Sequence, residues 1–133
     1  MRIYFRTFKT DGTPVMATQY RWMPPVDGVA APVNNWIPRA AALPDGRFVI
    51  ASTWANPNAS VFQVVAQRFN ADGSLDTSFG GGDGIVTTPT GQSNDFGFSV
   101  IQQSDGKLVV AGSTDDASYS DFVLARYNAD GSL

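Results

Sequence analysis

The sequence predicts an all-β fold of antiparallel, four-stranded repeats about 60 residues long. Three observations carry that prediction. All 12 acidic residues are Asp, none is Glu, and 2 Lys stand against 13 Gly and 8 Pro. Helices draw on Glu, Lys, Leu and Ala, whereas Asp and Gly favour turns, so a helical bundle is excluded. Seven of the Asp residues are followed by Gly, at 11, 27, 45, 72, 83, 105 and 130. Two families of these pairs recur. Residues 42–52 (ALPDGRFVIAS) return as 102–112 (QQSDGKLVVAG), an offset of 60, and residues 68–75 (RFNADGSL) return as 126–133 (RYNADGSL), an offset of 58. A fainter copy, FKTDG at 8–12, places Asp11 61 residues before Asp72. Repetition at this spacing signals a repeat architecture.

The N-terminal residues Met1-Arg2-Ile3-Tyr4-Phe5-Arg6 alternate charge and bulk with period 2. That predicts a strand over 2–8, returning over 14–20 across Asp11-Gly12. Segment 23–36, broken by Pro24 and Pro25, reads as a long loop. Strands follow at about 37–43, 47–54 and 61–69 in the first copy. The better-defined second copy offers about 96–103, 107–113 and 121–128, preceded by Gly84-Ile85-Val86-Thr87-Thr88 after the flexible turn Gly80-Gly81-Gly82-Asp83-Gly84. Asp-Gly between β-rich runs is a hairpin signal, because Gly supplies positive φ and Asp tolerates the left-handed region. Phe48-Val49-Ile50-Ala51 and Leu108-Val109-Val110-Ala111 are apolar without alternation, as expected of strands covered on both faces.

The chain therefore reads as one domain: an N-terminal hairpin and loop at 1–36, a first repeat at 37–94, and an incomplete second repeat at 95–133. Four-stranded units buried on both sides point to stacked antiparallel sheets, with β-propeller blades the leading architecture and a stacked β-sandwich the alternative. Propellers close with about 4–8 blades. Two repeats are too few, and Ser132-Leu133 matches Ser74-Leu75, after which the first copy continues Asp76-Thr77-Ser78-Phe79-Gly80. The expectation is a chain completed by copies of itself or by flanking repeats.

With no His and no Cys, the chain offers no thiol nucleophile, imidazole base, Cys/His zinc site or disulfide. The net charge is −3, the pI is about 4.5, and no Lys/Arg run occurs, so neither nucleic acid nor an anionic membrane surface is an expected partner. No apolar run approaches the ~20 residues of a membrane span. The N-terminus lacks the continuous apolar region of a signal peptide, so any export signal is expected outside this chain.

The run Arg68-Phe69-Asn70-Ala71-Asp72-Gly73-Ser74-Leu75-Asp76-Thr77-Ser78-Phe79-Gly80 closely resembles the signature of the bacterial delta-60 repeat. So do Gln103–Ser113 and Phe122-Val123-Leu124-Ala125-Arg126-Tyr127-Asn128, and the likeness covers about 64–133. Pro38–Ile50 is similar to related tandem repeats of large bacterial surface and calcium-binding proteins, while residues 1–36 depart from both patterns. The resemblance implies propeller-like β-repeats, an extracellular or cell-surface location, and no catalytic residues.

Three candidate sites compete with ordinary structural roles. Asn70, Asp72 and Asp76 overlap half of a calcium loop, whose oxygens sit at alternate positions around a Gly turn. Arg68 stands at the first ligand position and no bidentate Glu follows, so a self-bonded hairpin is the stronger reading. Trp36 and Trp54, with Asn56, could form a sugar-stacking platform. Against this, Trp is equally a core or interface anchor, and Thr114 stands opposite Trp54 in the second repeat. Asp115, Asp116 and Asp121 crowd a loop with Tyr119 and read as solvated charge more readily than as a carboxylate pair for glycoside chemistry. The glycine-rich 80–84 stretch lacks the helix and Lys of a phosphate loop. Asn58-Ala59-Ser60 is a formal glycosylation sequon, treated as chance.

The leading expectation is a non-catalytic β-repeat module, structural or adhesive, without cofactor unless calcium binds. The alternatives are a small oligomeric propeller lectin and a fragment of a propeller hydrolase or lyase.

Overall fold

A computed structural model describes residues 2–5, 8, 9, 11–14, 19–22, 35–56, 61–88, 94–115 and 118–133. Among these residues every regular element is a strand: β1 (Arg2–Phe5), β2 (Gln19–Trp22), β3 (Asn35–Ala42), β4 (Phe48–Asn56), β5 (Val61–Phe69), β6 (Ile85–Thr88), β7 (Asn94–Gln102), β8 (Leu108–Asp115) and β9 (Ser120–Tyr127). They form three sheets, ordered β1-β2, β3-β4-β5-β6 and β7-β8-β9, with all pairings antiparallel. Each sheet is a simple meander of successive antiparallel strands, with short Asp-Gly loops joining β3 to β4 and β7 to β8.

The Asp-Gly loops share one hydrogen-bond pattern. In Leu43–Arg47 the Leu43 N–H donates to the Arg47 carbonyl (2.8 Å) and the Gly46 N–H to the Leu43 carbonyl (3.1 Å). The pattern repeats at 9–13, 70–74, 103–107 and 128–132. The Asp carboxylate accepts the N–H two residues on, as Asp72 does from Ser74 (2.9 Å) and Asp130 from Ser132 (3.0 Å). Glycine alone among these loop residues needs a positive φ, +86° at Gly46 and +84° at Gly106. This is the three-residue hairpin with a bulge, not the two-residue turn in which Asp itself turns left-handed.

Strand positions differ from expectation at their ends. The N-terminal hairpin pairs 2–5 with 19–22 and has one further bridge, Phe8 to Pro14, next to the Asp11-Gly12 turn; residues 6, 7 and 15–18 of the expected strands lie outside the described residues. β3 begins at Asn35, inside the segment read as loop; the rest of that loop, 23–34, lies outside the described residues. Residues 80–84, read as a flexible turn, carry specific bonds. Gly80 N–H donates to the Asp130 carbonyl (2.9 Å), Gly84 N–H to the Phe79 carbonyl (2.9 Å) and Ile85 N–H to Asp83 Oδ1 (2.8 Å).

The four-stranded and three-stranded sheets pack face to face, with β7 lying across β3, β4 and β5. Alternate residues of β4 and β5 split between two faces. Val49, Ala51, Val64 and Ala66 turn toward the second sheet and share a core with Leu43, Phe79, Val100, Leu108, Val110 and Tyr127. Ile50, Trp54, Val65, Phe69 and Ile85 cluster on the opposite face with Phe48 and Leu75. Each Val, Leu, Ile or Phe among them contributes about 1.5–3 kcal/mol when fully buried.

β4 is thus buried on both faces, as its apolar run predicts. The sister strand β8 is not: Leu108 and Val110 are buried, whereas Val109 and Ala111 are only partly covered. The reason is the open outer face of the second sheet. Phe122 is 100% exposed and Leu124 72% exposed, while their counterparts at the 58-residue offset, Val64 and Ala66, are 3% and 0% exposed. The first sheet buries those positions under the second; among the described residues nothing plays that part for the second.

Candidate functional site

The densest polar cluster lies where the two repeats meet, around Arg68 near the end of β5. Its N–H donates to the Gly84 carbonyl, and its own carbonyl accepts from Asp76 N–H (2.9 Å). The hairpin 70–74 thereby folds Asp76 back beside the strand. Asp76 Oδ2 accepts from Arg68 Nε (2.8 Å) and Arg47 Nη1 (2.6 Å), and Oδ1 from Ser78 N–H (3.0 Å) and Ser78 Oγ (2.6 Å). Arg47 also holds Asp45 (2.6 Å). The Arg68 guanidinium lies 4.7 Å from the Phe79 ring centroid, donates to Ser78 Oγ (2.9 Å), and reaches across the junction to the Ala129 carbonyl.

Burial of Asp76 pushes its carboxyl pKa upward. The Ser78 hydroxyl, the Arg47 guanidinium, the Ser78 N–H and the charge of Arg68 outweigh burial and hold that carboxyl well below the usual carboxylate range. The two flanking carboxylates raise Arg47 above its ordinary value.

The Asn128–Ser132 turn of the second repeat docks on this cluster. A Cβ on Gly131 would sit 2.8 Å from Gly80 N, 2.9 Å from Val86 Cγ2 and 3.0 Å from Phe79 Cδ2, so only glycine fits the contact. Nearby, the Tyr127 hydroxyl bonds the Thr88 hydroxyl in the core. At the far end of the junction the Phe62 N–H donates to Asn94 Oδ1 (3.0 Å) and the Phe62 and Phe96 rings lie 5.5 Å apart. An open groove of about 740 Å³ runs beside the docked turn, lined by backbone and small side chains including Thr77, Gly80–Gly82, Asp130 and Ser132.

The sequence-derived candidates fall as follows. Asn70 donates to Ser74 Oγ (3.0 Å) and Asp72 Oδ1 accepts from the Ser74 hydroxyl (2.6 Å), both inside the hairpin. The Asp76 oxygens are taken by Arg68, Arg47 and Ser78. Among the described residues no group of three or more His, Cys, Asp or Glu side chains could hold a metal ion. Trp54 is 1% exposed and sits in the core, where no sugar ring reaches it. That corrects its reading as a stacking platform: the residue shares one packed face of β4 with Ile50. Trp36 pairs with Thr53, and Asn56 with Val61, in the sheet; their side chains, and residues 57–60 with Asn58, lie outside the described set. Asp115 accepts from the Ser120 hydroxyl across the β8-β9 hairpin, and Asp121 pairs with Thr114.

Sequence reasoning named Asp76 for calcium and treated Arg68 as an obstacle. The missed signal was that Arg68 recurs as Arg126 and Arg47 as Lys107 at the repeat offsets, so the cations belong to the repeat itself.

A family model described as a β-propeller domain of unknown function (DUF5122) matches residues 43–79 and 103–133. These segments are the two Asp-Gly hairpins of each repeat, with the Asp76–Phe79 extension in the first. No curated protein matches the chain.

Proposed function

Because the chain belongs to the DUF5122 β-propeller domain family, we propose that it is a non-catalytic β-repeat module whose task is to stack with further repeats of its own kind. The observation that supports this reading most is the open sheet face. Phe122, Leu124 and Ile101 stand exposed at a surface whose internal counterpart, Val64 and Ala66 in the first sheet, is packed against the next repeat. Apolar area of this sort marks an association surface. The likeness of 64–133 to the delta-60 repeat supports the same reading, including a place at the cell surface or outside the cell. The polar clusters favour it too, because their lone pairs and protons are spent on holding turns and joining repeats.

The test is the oligomeric state by light scattering over a concentration series. The module is expected to self-associate, and Phe122→Asp, which places a charge on the open face, is expected to abolish association without unfolding. A stable monomer at every concentration, or association indifferent to Phe122, rejects the reading.

A further inference from the structure

The two repeats are chemically matched but unequally completed. In the first, residues 75–88 fold back along the outer edge of β5: Leu75 bridges Phe69, Asp76 binds Arg68 and Arg47, Phe79 covers the Arg68 guanidinium, and β6 pairs Ile85–Thr88 with Gln67–Val64. In the second, β9 is the edge of its sheet. By the 58-residue offset, Arg126 stands for Arg68 and Tyr127 for Phe69; by the 60-residue offset, Lys107 stands for Arg47 and Asp105 for Asp45. Yet the Arg68 side chain is 5% exposed and that of Arg126 is 51% exposed. Arg126 has turned to Asp105 (2.9 Å) and Gln103 (2.6 Å), whereas the counterpart of Asp105 in the first repeat serves Arg47.

We propose that the outer edge of β9, with Arg126 and Lys107 beside it, is an acceptor for an extended peptide segment of a further repeat: a carboxylate first, an aromatic ring three residues on, then a glycine-rich turn and a β-branched strand. It rests on the stacking reading and names the partner segment. The chain carries its own template for the recognition. Arg68 N–H and its carbonyl both bond the returning segment, and groups on one strand edge recur with period 2. The N–H groups of Phe122, Leu124 and Arg126 therefore point to the open edge. Strand addition supplies main-chain hydrogen bonds, while the carboxylate and the ring select the segment. Unpaired edges of this kind are normally covered in native proteins.

A synthetic peptide of residues 75–88, LDTSFGGGDGIVTT, added to the full chain tests this by hydrogen exchange. Saturating peptide is expected to slow exchange at the Phe122, Leu124 and Arg126 amides by about tenfold or more. Arg126→Ala in the chain, or Asp→Ala at the peptide's second residue, is expected to weaken binding about tenfold, the effect of one charge-assisted contact. Because Arg126 is exposed, its replacement leaves the fold intact. No slowing in β9, or slowing confined to β5, overturns the proposal. A chain that protects β9 with peptide yet never self-associates keeps the acceptor edge and rejects the stacking reading; a chain that self-associates but never protects β9 does the reverse.

Discussion

Asp76→Ala removes the carboxylate on which two arginines converge. Arg68 and Asp76 are both largely buried, with side chains 5% and 9% exposed. Stripping one partner from a buried pair leaves an uncompensated charge, a loss of about 3–5 kcal/mol. Arg68 keeps the Ala129 carbonyl, Ser78 and the Phe79 ring, which places the expected loss at the low end, about 3 kcal/mol. The matching exposed pair provides the control: Arg126 and Asp105 are 51% and 47% exposed, so Asp105→Ala should cost under about 1 kcal/mol. Urea unfolding followed by tryptophan fluorescence reads both. With a slope of about 2 kcal/mol per molar for a chain of this size, Asp76→Ala should lower the midpoint by about 1.5 M. Equal shifts for the two variants would refute the claim that burial of the pair, and not charge alone, makes it matter. The same carboxylate has a sign in pH. Its pKa is depressed in the folded state, so its contribution is complete above the unfolded value of about 3.9 and drains away as pH falls below it. Asp76→Asn should therefore flatten the acid limb of the stability profile.

Gly131→Ala combines a φ of +91° with contacts under about 3 Å to Gly80, Val86 and Phe79. It should cost well over the 1–2 kcal/mol or so of a left-handed alanine alone, whereas Gly106→Ala, with φ +84° and open space around its Cβ, should cost only that; thermal melts of the pair decide it. Tyr127→Phe leaves the Thr88 hydroxyl, 4% exposed, without its core partner. A loss of about 1–3 kcal/mol in chemical denaturation is expected. Burial raises the Tyr127 phenol above its ordinary value against the Thr88 bond. Its contribution is therefore present below about pH 10 and lost as pH rises further, and the variant should flatten that alkaline limb. Calcium at about 10 mM, above what weak extracellular modules need, should leave the melting temperature unchanged, since the oxygens of Asp76 face arginines; a clear upward shift would restore the calcium reading of Asn70, Asp72 and Asp76.

Much of the fold was legible because turn chemistry is local. Asp-Gly pairs located the turns at 9–13, 43–47, 70–74, 103–107 and 128–132, since a carboxylate two residues before an N–H and a glycine free to take positive φ act within five residues. Strand type was legible where apolar runs lacked alternation, as at Phe48–Ala51. The polar junction was less legible. Arg68 and Asp76 lie eight residues apart, with a hairpin between them, and Arg47 comes from the loop between β3 and β4. Their convergence follows from the return of the chain along β5, which residue types alone do not state. Trp54 illustrates the opposite failure: beside Asn-rich sequence it reads as a ligand platform, and only its neighbours on the β4 face make it core.

By itself, the sequence determined the repeat, its period, its β character and the position of nearly every turn, because these depend on backbone preferences within a few residues. The tertiary structure alone decided which face of each strand meets another repeat and which is left open. Val64 and Phe122 occupy the same position in the repeat and are both apolar, yet one is buried and the other fully exposed. Burial depends on what stands about 10 Å away across the sheet face, and no local pattern carries that information.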